Sequence, residues 1–150
     1  MIDGSAHRLA VPHPHDPKVI LGTEADLAHS SHLGVTAAVS LSRLSSAGAE
    51  RARLAQGKHA QIWLIDSNDP AANSHLAWTR ADAARTVRQM RDEGDTVLLH
   101  CVAAHHRTPS VALAYSRLLG VPADRAVRDL TRSLGVADID GLLWQTALTL

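Results

Sequence analysis

Cys101 is the only cysteine in a chain of 150 residues, and the residues around it give its thiol a use. The apolar run Val97-Leu98-Leu99 reads as the end of a strand covered on both faces, closing at His100. Five residues separate Cys101 from Arg107 and Thr108, which open a helix. A strand, a short loop and a helix in that order can make an anion cradle. Successive backbone N–H groups of Val102, Ala103, Ala104, His105, His106 and Arg107 can curl around a tetrahedral oxyanion, with the helix N-terminus behind it. A cysteine at that point faces the helix dipole and an arginine, both of which favour thiolate over thiol. A thiolate is a nucleophile at neutral pH. Arg107 offers a planar fork of donors suited to two equatorial phosphoryl oxygens.

Elements that could hold this constellation alternate along the chain. Residues 18–22 (KVILG) predict a strand, and residues 23–33 a helix with Thr23 as N-cap and Glu24 and Asp26 in its first turn. Gly34 would close that helix, and residues 35–41 (VTAAVSL) predict a second strand. Residues 42–58 read as a loop with one short helix near 49–55, and residues 61–65 (QIWLI) as a third strand. Leu76, Ala83, Ala84, Val87 and Met90 lie at helical spacing over residues 76–92, which sets Arg80, Arg85, Arg88 and Arg91 outward as a solvated stripe. A strand at 96–99 and helices at 107–119, 123–134 and 138–150 complete the reading, with Pro122 at the head of a helix. The expected class is α/β: a central, mostly parallel sheet flanked by helices. In such sheets the working site lies beyond the carboxyl ends of the strands. Two loops qualify, residues 66–74 (DSNDPAANS) and residues 101–106. Residues 1–17, broken by Pro12, Pro14 and Pro17, are expected to form a flexible lead-in, with His7, His13 and His15 structurally idle, ahead of one domain over 18–150. Trp63 and Trp78 are expected in core or edge packing, and Trp144 in packing the last helix.

Composition removes several function classes. Fifteen basic residues balance fifteen acidic ones, which argues against a general nucleic-acid or membrane-surface binder. Three Trp, one Tyr and no Phe leave no platform for stacking bases. No apolar run reaches the roughly 18 residues of a membrane helix, and the polar, His-rich start lacks the apolar centre of a secretory signal, so a cytoplasmic protein is expected. Thirteen Arg against two Lys, with abundant Ala, suggest a GC-rich bacterial genome. His100, His105 and His106 with Cys101 have the wrong spacing for a zinc cluster, and no metal or cofactor is expected. A thiol redox protein would need a resolving cysteine, which is lacking.

The cysteine followed after five residues by Arg-Thr resembles the signature of the protein tyrosine phosphatase superfamily. The surroundings resemble its dual-specificity class. VILGTEADLAHSSHLGVTAAVSL is similar to that class's opening strand, helix and second strand; LLHCVAAHHRTPSVALAY to its catalytic strand, loop and helix; and GVPADRAVRDL to the helix after it. The resemblance spans roughly residues 19–134. It implies that Cys101 attacks phosphorus and forms a phosphocysteine, that Arg107 binds the phosphate and stabilises the transition state, and that Thr108 helps the sulfur leave. It implies that His100 helps lower the thiol pKa and orders the loop. It also implies an acid on a separate loop, to protonate the leaving oxygen and then activate water. Asp69, 32 residues before Cys101 and well out on its loop, is preferred over Asp66, which follows directly on the strand. Expected substrates are phosphotyrosine or phosphoserine/threonine in proteins; alternatives are a phosphoinositide or another small phosphate ester, or a phosphate-binding module with little turnover. A monomer is compatible with all of these. The sequence departs from the family at two positions of the loop: the family has Gly three positions after the cysteine and Ser before the arginine, whereas here these are Ala104 and His106.

Overall fold

The computed structural model describes residues 8–43, 53–65, 67–73, 75–102, 104–136, 139 and 142–147. Strands β1 (Val11–His13), β2 (Asp16–Gly22), β3 (Ala37–Ser40), β4 (His59–Gln61) and β5 (Val97–His100) form one sheet in the order β1-β2-β5-β3-β4. Only the β1–β2 pair is antiparallel; the other three pairs are parallel. Helices α1 (Glu24–Ala28), α2 (Leu76–Asp92), α3 (Arg107–Leu118), α4 (Ala123–Leu134) and α5 (Leu142–Ala147) flank it. The α/β class read from the sequence is therefore the class that forms.

β5 is the middle strand, and all four of its residues are buried. Alternation along it divides the molecule into two layers of core. Leu98 packs on the α1 side with Leu27, Val35 and Ala38. Leu99 and Cys101 belong to the larger core on the opposite side, with Val39, Leu41, Val87, Val111 and Leu113. Each fully buried leucine contributes about 1.5–3 kcal/mol. α3 is the central helix of that side. It packs against α2, α4, α5 and β5, and every residue from Thr108 to Ser116 is buried. The run Val111-Ala112-Leu113-Ala114-Tyr115 suits a helix with no solvent face.

Several expectations shift. The lead-in is not loose over residues 11–17. Val11–His13 pair with β2, and an edge strand tolerates Pro12 because no ladder bond is asked of its nitrogen. His13 is buried and His15 bridges to Ser116 and Asp129, so neither is idle. α1 spans five residues rather than eleven, because His29, Ser30, Ser31 and His32 form helix poorly and the chain turns through Gly34 at φ +71°. The third strand pairs two residues earlier than expected; past Gln61, Ile62 and Leu64 still donate their N–H groups to Ser40 and Leu41. Trp63 and Trp78 are 58% and 65% exposed. Leu64 takes the inward place beside Trp63, whose ring is covered by the Arg43 guanidinium at 5.3 Å, and Trp78 lies off the buried stripe of α2. Arg80 is not on a solvated face: it is buried and donates to Thr146 Oγ1 at 3.0 Å. The short helix expected near 49–55, and Asp66, Ser74 and Ala103, lie outside the described residues. No helix among the described residues is long and apolar enough to cross a membrane.

Candidate active site

The loop after β5 closes on its own cysteine. Cys101 is buried, and the Ala104 N–H donates to its sulfur at 3.2 Å. That contact requires the chain to reverse within three residues. It does so with Ala104 at φ +62°, in the left-handed region where a β-carbon is strained. The Gly position of the family pattern is thus the position where this backbone needs glycine's freedom. The loop is anchored on its other side by the Glu24 N–H, the first residue of α1, which donates to Val102 O at 3.1 Å. Thr23 and Asp26 form the capping box that holds α1 in place to do so.

Beyond the loop, α3 starts at Arg107 with no side-chain cap, so the positive end of its dipole lies where the loop ends. Val102 and His105 are exposed, and His106 and Arg107 half-buried. Arg107 donates from Nη1 to Leu64 O at 3.3 Å, while its buried Nε has no partner among the described residues. Thr108 Oγ1 and Ser42 Oγ are also buried without a partner there. Buried donors are rarely left so. A guanidinium edge and a hydroxyl in the first turn of the helix that follows the loop suit an oxyanion.

His100 is fully buried. Its Nδ1 lies 3.2 Å from Cys101 O, and its Nε2 is hydrogen-bonded to Ser40 Oγ. Burial pushes its pKa down to about 4, against a weaker upward pull from the Cys101 carbonyl. The imidazole is therefore neutral. A neutral ring puts no positive charge beside the loop, and its hydrogen bond to the Cys101 carbonyl lies where the loop begins.

The structure joins Ala104 to Cys101 through a hydrogen bond and sets Arg107 and Thr108 in the first turn of α3, and it gives Asp69 another occupation. Asp69 is exposed, and its Oδ1 accepts the Ala71 N–H at 3.0 Å, an Asx turn. Ser40 and His59 were missed by sequence reasoning. The signal was there: a serine closing the otherwise apolar, fully buried strand Ala37-Ala38-Val39-Ser40 needs a partner, and it finds two imidazoles.

No known protein family and no curated protein matches the sequence. Solved structures do match the fold. Cydia pomonella PTP-2 phosphatase superposes with a TM-score of 0.74 at 18% identity, over 93% of this chain and 88% of its own. Human DUSP28 gives 0.72 at 17% identity, over 97% and 94%. Tk-PTP in the active form gives 0.68 at 17%, over 93% and 94%. The chain has the fold of dual-specificity and tyrosine phosphatases, across nearly its whole length.

Proposed function

We propose that this protein hydrolyses phosphate monoesters without a metal, through a phosphocysteine on Cys101. The observation that supports the reading is the loop closed on its sulfur: an amide donates to Cys101 Sγ, and the helix that follows the loop opens with Arg107 Nε and Thr108 Oγ1 buried and without a partner among the described residues. The thiolate attacks phosphorus, the S–P bond forms and the ester P–O bond breaks. Loop amides and the Arg107 fork hold the equatorial oxygens, whose charge they stabilise in place of a metal. A carboxylic acid on the loop after β4 gives its proton to the leaving oxygen. The resulting carboxylate then takes a proton from water, which attacks phosphorus. The S–P bond breaks, and the Thr108 hydroxyl stabilises the departing thiolate.

Asp66 and Asp69 are the two candidates for the acid. The Asx turn at Asp69 favours Asp66, which lies only two residues from Leu64, whose carbonyl meets Arg107. The substrates that suit this chemistry are phosphotyrosine or phosphoserine/threonine in a protein, encountered in the cytoplasm. A second reading, a phosphate-binding module with little turnover, is favoured by one observation, the strained Ala104.

Hydrolysis of a small aryl phosphate tests the proposal. Wild-type protein should turn it over, with a bell-shaped and mildly acidic optimum, and Cys101→Ser should have no activity. Full activity in Cys101→Ser overturns the reading. Tight vanadate binding without hydrolysis selects the binding module.

A further inference from the structure

We propose that Ser40 and His59 are positioning residues for the nucleophile, linked through His100 in a directed chain of hydrogen bonds that ends on the Cys101 carbonyl. The inference rests on the reading of Cys101 as the nucleophile.

The direction of the chain follows from which atoms can donate. Cys101 O only accepts, so His100 Nδ1 at 3.2 Å carries the hydrogen. In the neutral ring Nε2 is then an acceptor, and the Ser40 hydroxyl donates to it. Its one hydrogen is thereby used, so Ser40 Oγ accepts from His59 Nε2 at 2.8 Å. The three residues come from three adjacent strands, β4, β3 and β5. The registers Ala38↔His59 and Ser40↔His100 set them on the α1 side of the sheet, opposite the side where Cys101 packs.

Burial keeps the chain in this state. Ser40 and His100 are fully buried, and His59 half-buried. Burial lowers the pKa of both imidazoles, so neither gains a proton in neutral solution. The charged and titratable groups facing His100 are His59, Asp26 and Arg107; Asp26 acts upward, and the other two downward. A half-buried histidine at a sheet edge could simply fill space. The convergence of its Nε2 on a buried hydroxyl, which itself can donate in only one useful direction, argues for more. Hydrogen bonds in series polarise one another. The last of them fixes the Cys101 carbonyl, and so the direction in which the chain leaves Cys101 to return with the Ala104 N–H on its sulfur.

The test compares wild type with Ser40→Ala, His59→Phe and His59→Gln. Two quantities are measured: the rate of Cys101 alkylation by iodoacetamide against pH, and kcat and KM on an aryl phosphate. Gln keeps a donor near the place of Nε2; Phe fills the space without one. Ser40→Ala and His59→Phe should move the alkylation midpoint to higher pH and lower kcat roughly 2–10-fold, the kinetic equivalent of one hydrogen bond, with KM nearly unchanged. His59→Gln should restore both. A wild-type alkylation profile in His59→Phe overturns the proposal, as does a His59→Gln variant as impaired as His59→Phe. If Ser40→Ala does not fold, the half-buried His59 pair decides alone. Alkylation needs no turnover, so a wild type that fails to hydrolyse esters sinks the phosphatase reading while the alkylation profiles still judge the chain.

Discussion

A methyl group stands at a left-handed residue of the loop. Ala104 holds φ +62° because its N–H must reach Cys101 Sγ, and the left-handed region costs a residue with a β-carbon about 1–2 kcal/mol. Ala104→Gly should release that strain, less the extra backbone entropy that glycine loses on folding. The expected net gain is up to about 1 kcal/mol, a Tm rise of roughly 2–4 °C. Activity on an aryl phosphate should rise with it, because the loop no longer has to be forced around the sulfur. A lower Tm together with lower kcat in Ala104→Gly would contradict this account. The offset of Cys101 from Arg107 was legible because the two residues bound one short loop between a buried strand and a helix. Position 104 stood out only through the family resemblance, whose pattern has Gly there, and the structure puts Ala104 in the left-handed region. The acid was not. An aspartate in a turn-rich loop serves an Asx turn as readily as proton transfer, and Asp69 does the former. Asp66→Asn and Asp69→Asn, assayed side by side, should separate the two: the variant that lacks the acid loses kcat, with little change in KM, and Asp69→Asn should be the milder of the pair.

The β1–β2 hairpin works as a latch on α3, the helix that follows the Cys101 loop. Its proline-rich sequence looks like a tail, because the partners that order it lie about a hundred residues away. His13 Nε2 donates to Ala112 O at 3.0 Å, and the His15 N–H donates to His13 Nδ1 at 3.0 Å. Asp16 Oδ2 accepts from Tyr115 OH at 2.7 Å and from Arg91 Nε at 2.9 Å, tying the start of β2 to both α3 and α2. Burial works against the Asp16 charge, but the bonds from Arg91 and Tyr115 outweigh it and hold the carboxyl below its usual range. The periodicity of α2 was read correctly as amphipathic, yet period alone cannot tell a solvated arginine from Arg91, which meets a carboxylate, or from Arg80, which meets Thr146. Asp16→Ala should leave the Tyr115 hydroxyl buried without a partner and the Arg91 guanidinium unpaired. The expected cost is about 2 kcal/mol, seen as a Tm lower by roughly 4–8 °C. Asp16→Asn should recover about half, since an amide oxygen still accepts. An Asp16→Ala protein as stable as wild type would show that the latch does not hold the fold.

Across the whole molecule, the two layers of core each bury one imidazole that must stay neutral. Burial brings both His13 and His100 down to about 4 from an ordinary 6.5. Each has its hydrogen committed to a backbone carbonyl and its other nitrogen accepting, so a second proton would meet a donor. The α/β class was legible from strands alternating with helices; the strand order and this internal charge state were not, because both depend on tertiary packing. It has a definite consequence for stability. The folded pKa lies below the unfolded one, so the unfolded chain binds protons first as pH falls. Stability is full above about 6.5, falls between 6.5 and 4, and levels off below. The loss amounts to about 3 kcal/mol for each group by pH 4, and about 2 kcal/mol for each at pH 5. Against a total of roughly 5–15 kcal/mol this is a large share. Asp16, Asp95 and Asp129 have carboxyls held below 3.8, so their contribution disappears only under more acid conditions, outside this window. Urea unfolding at steps from pH 7.5 to 4.5 should therefore show a falling midpoint. In His13→Gln, whose amide still donates to Ala112 O, the fall should be shallower by about 2 kcal/mol at pH 5, the share of one imidazole. A midpoint that stays flat from pH 7 to 5, or a His13→Gln protein with the wild-type slope, would mean that these rings are not held neutral by the fold. Activity lost in the same window by unfolding should follow the urea curve, whereas activity lost by protonating the nucleophile should return at once on neutralisation with the fold intact.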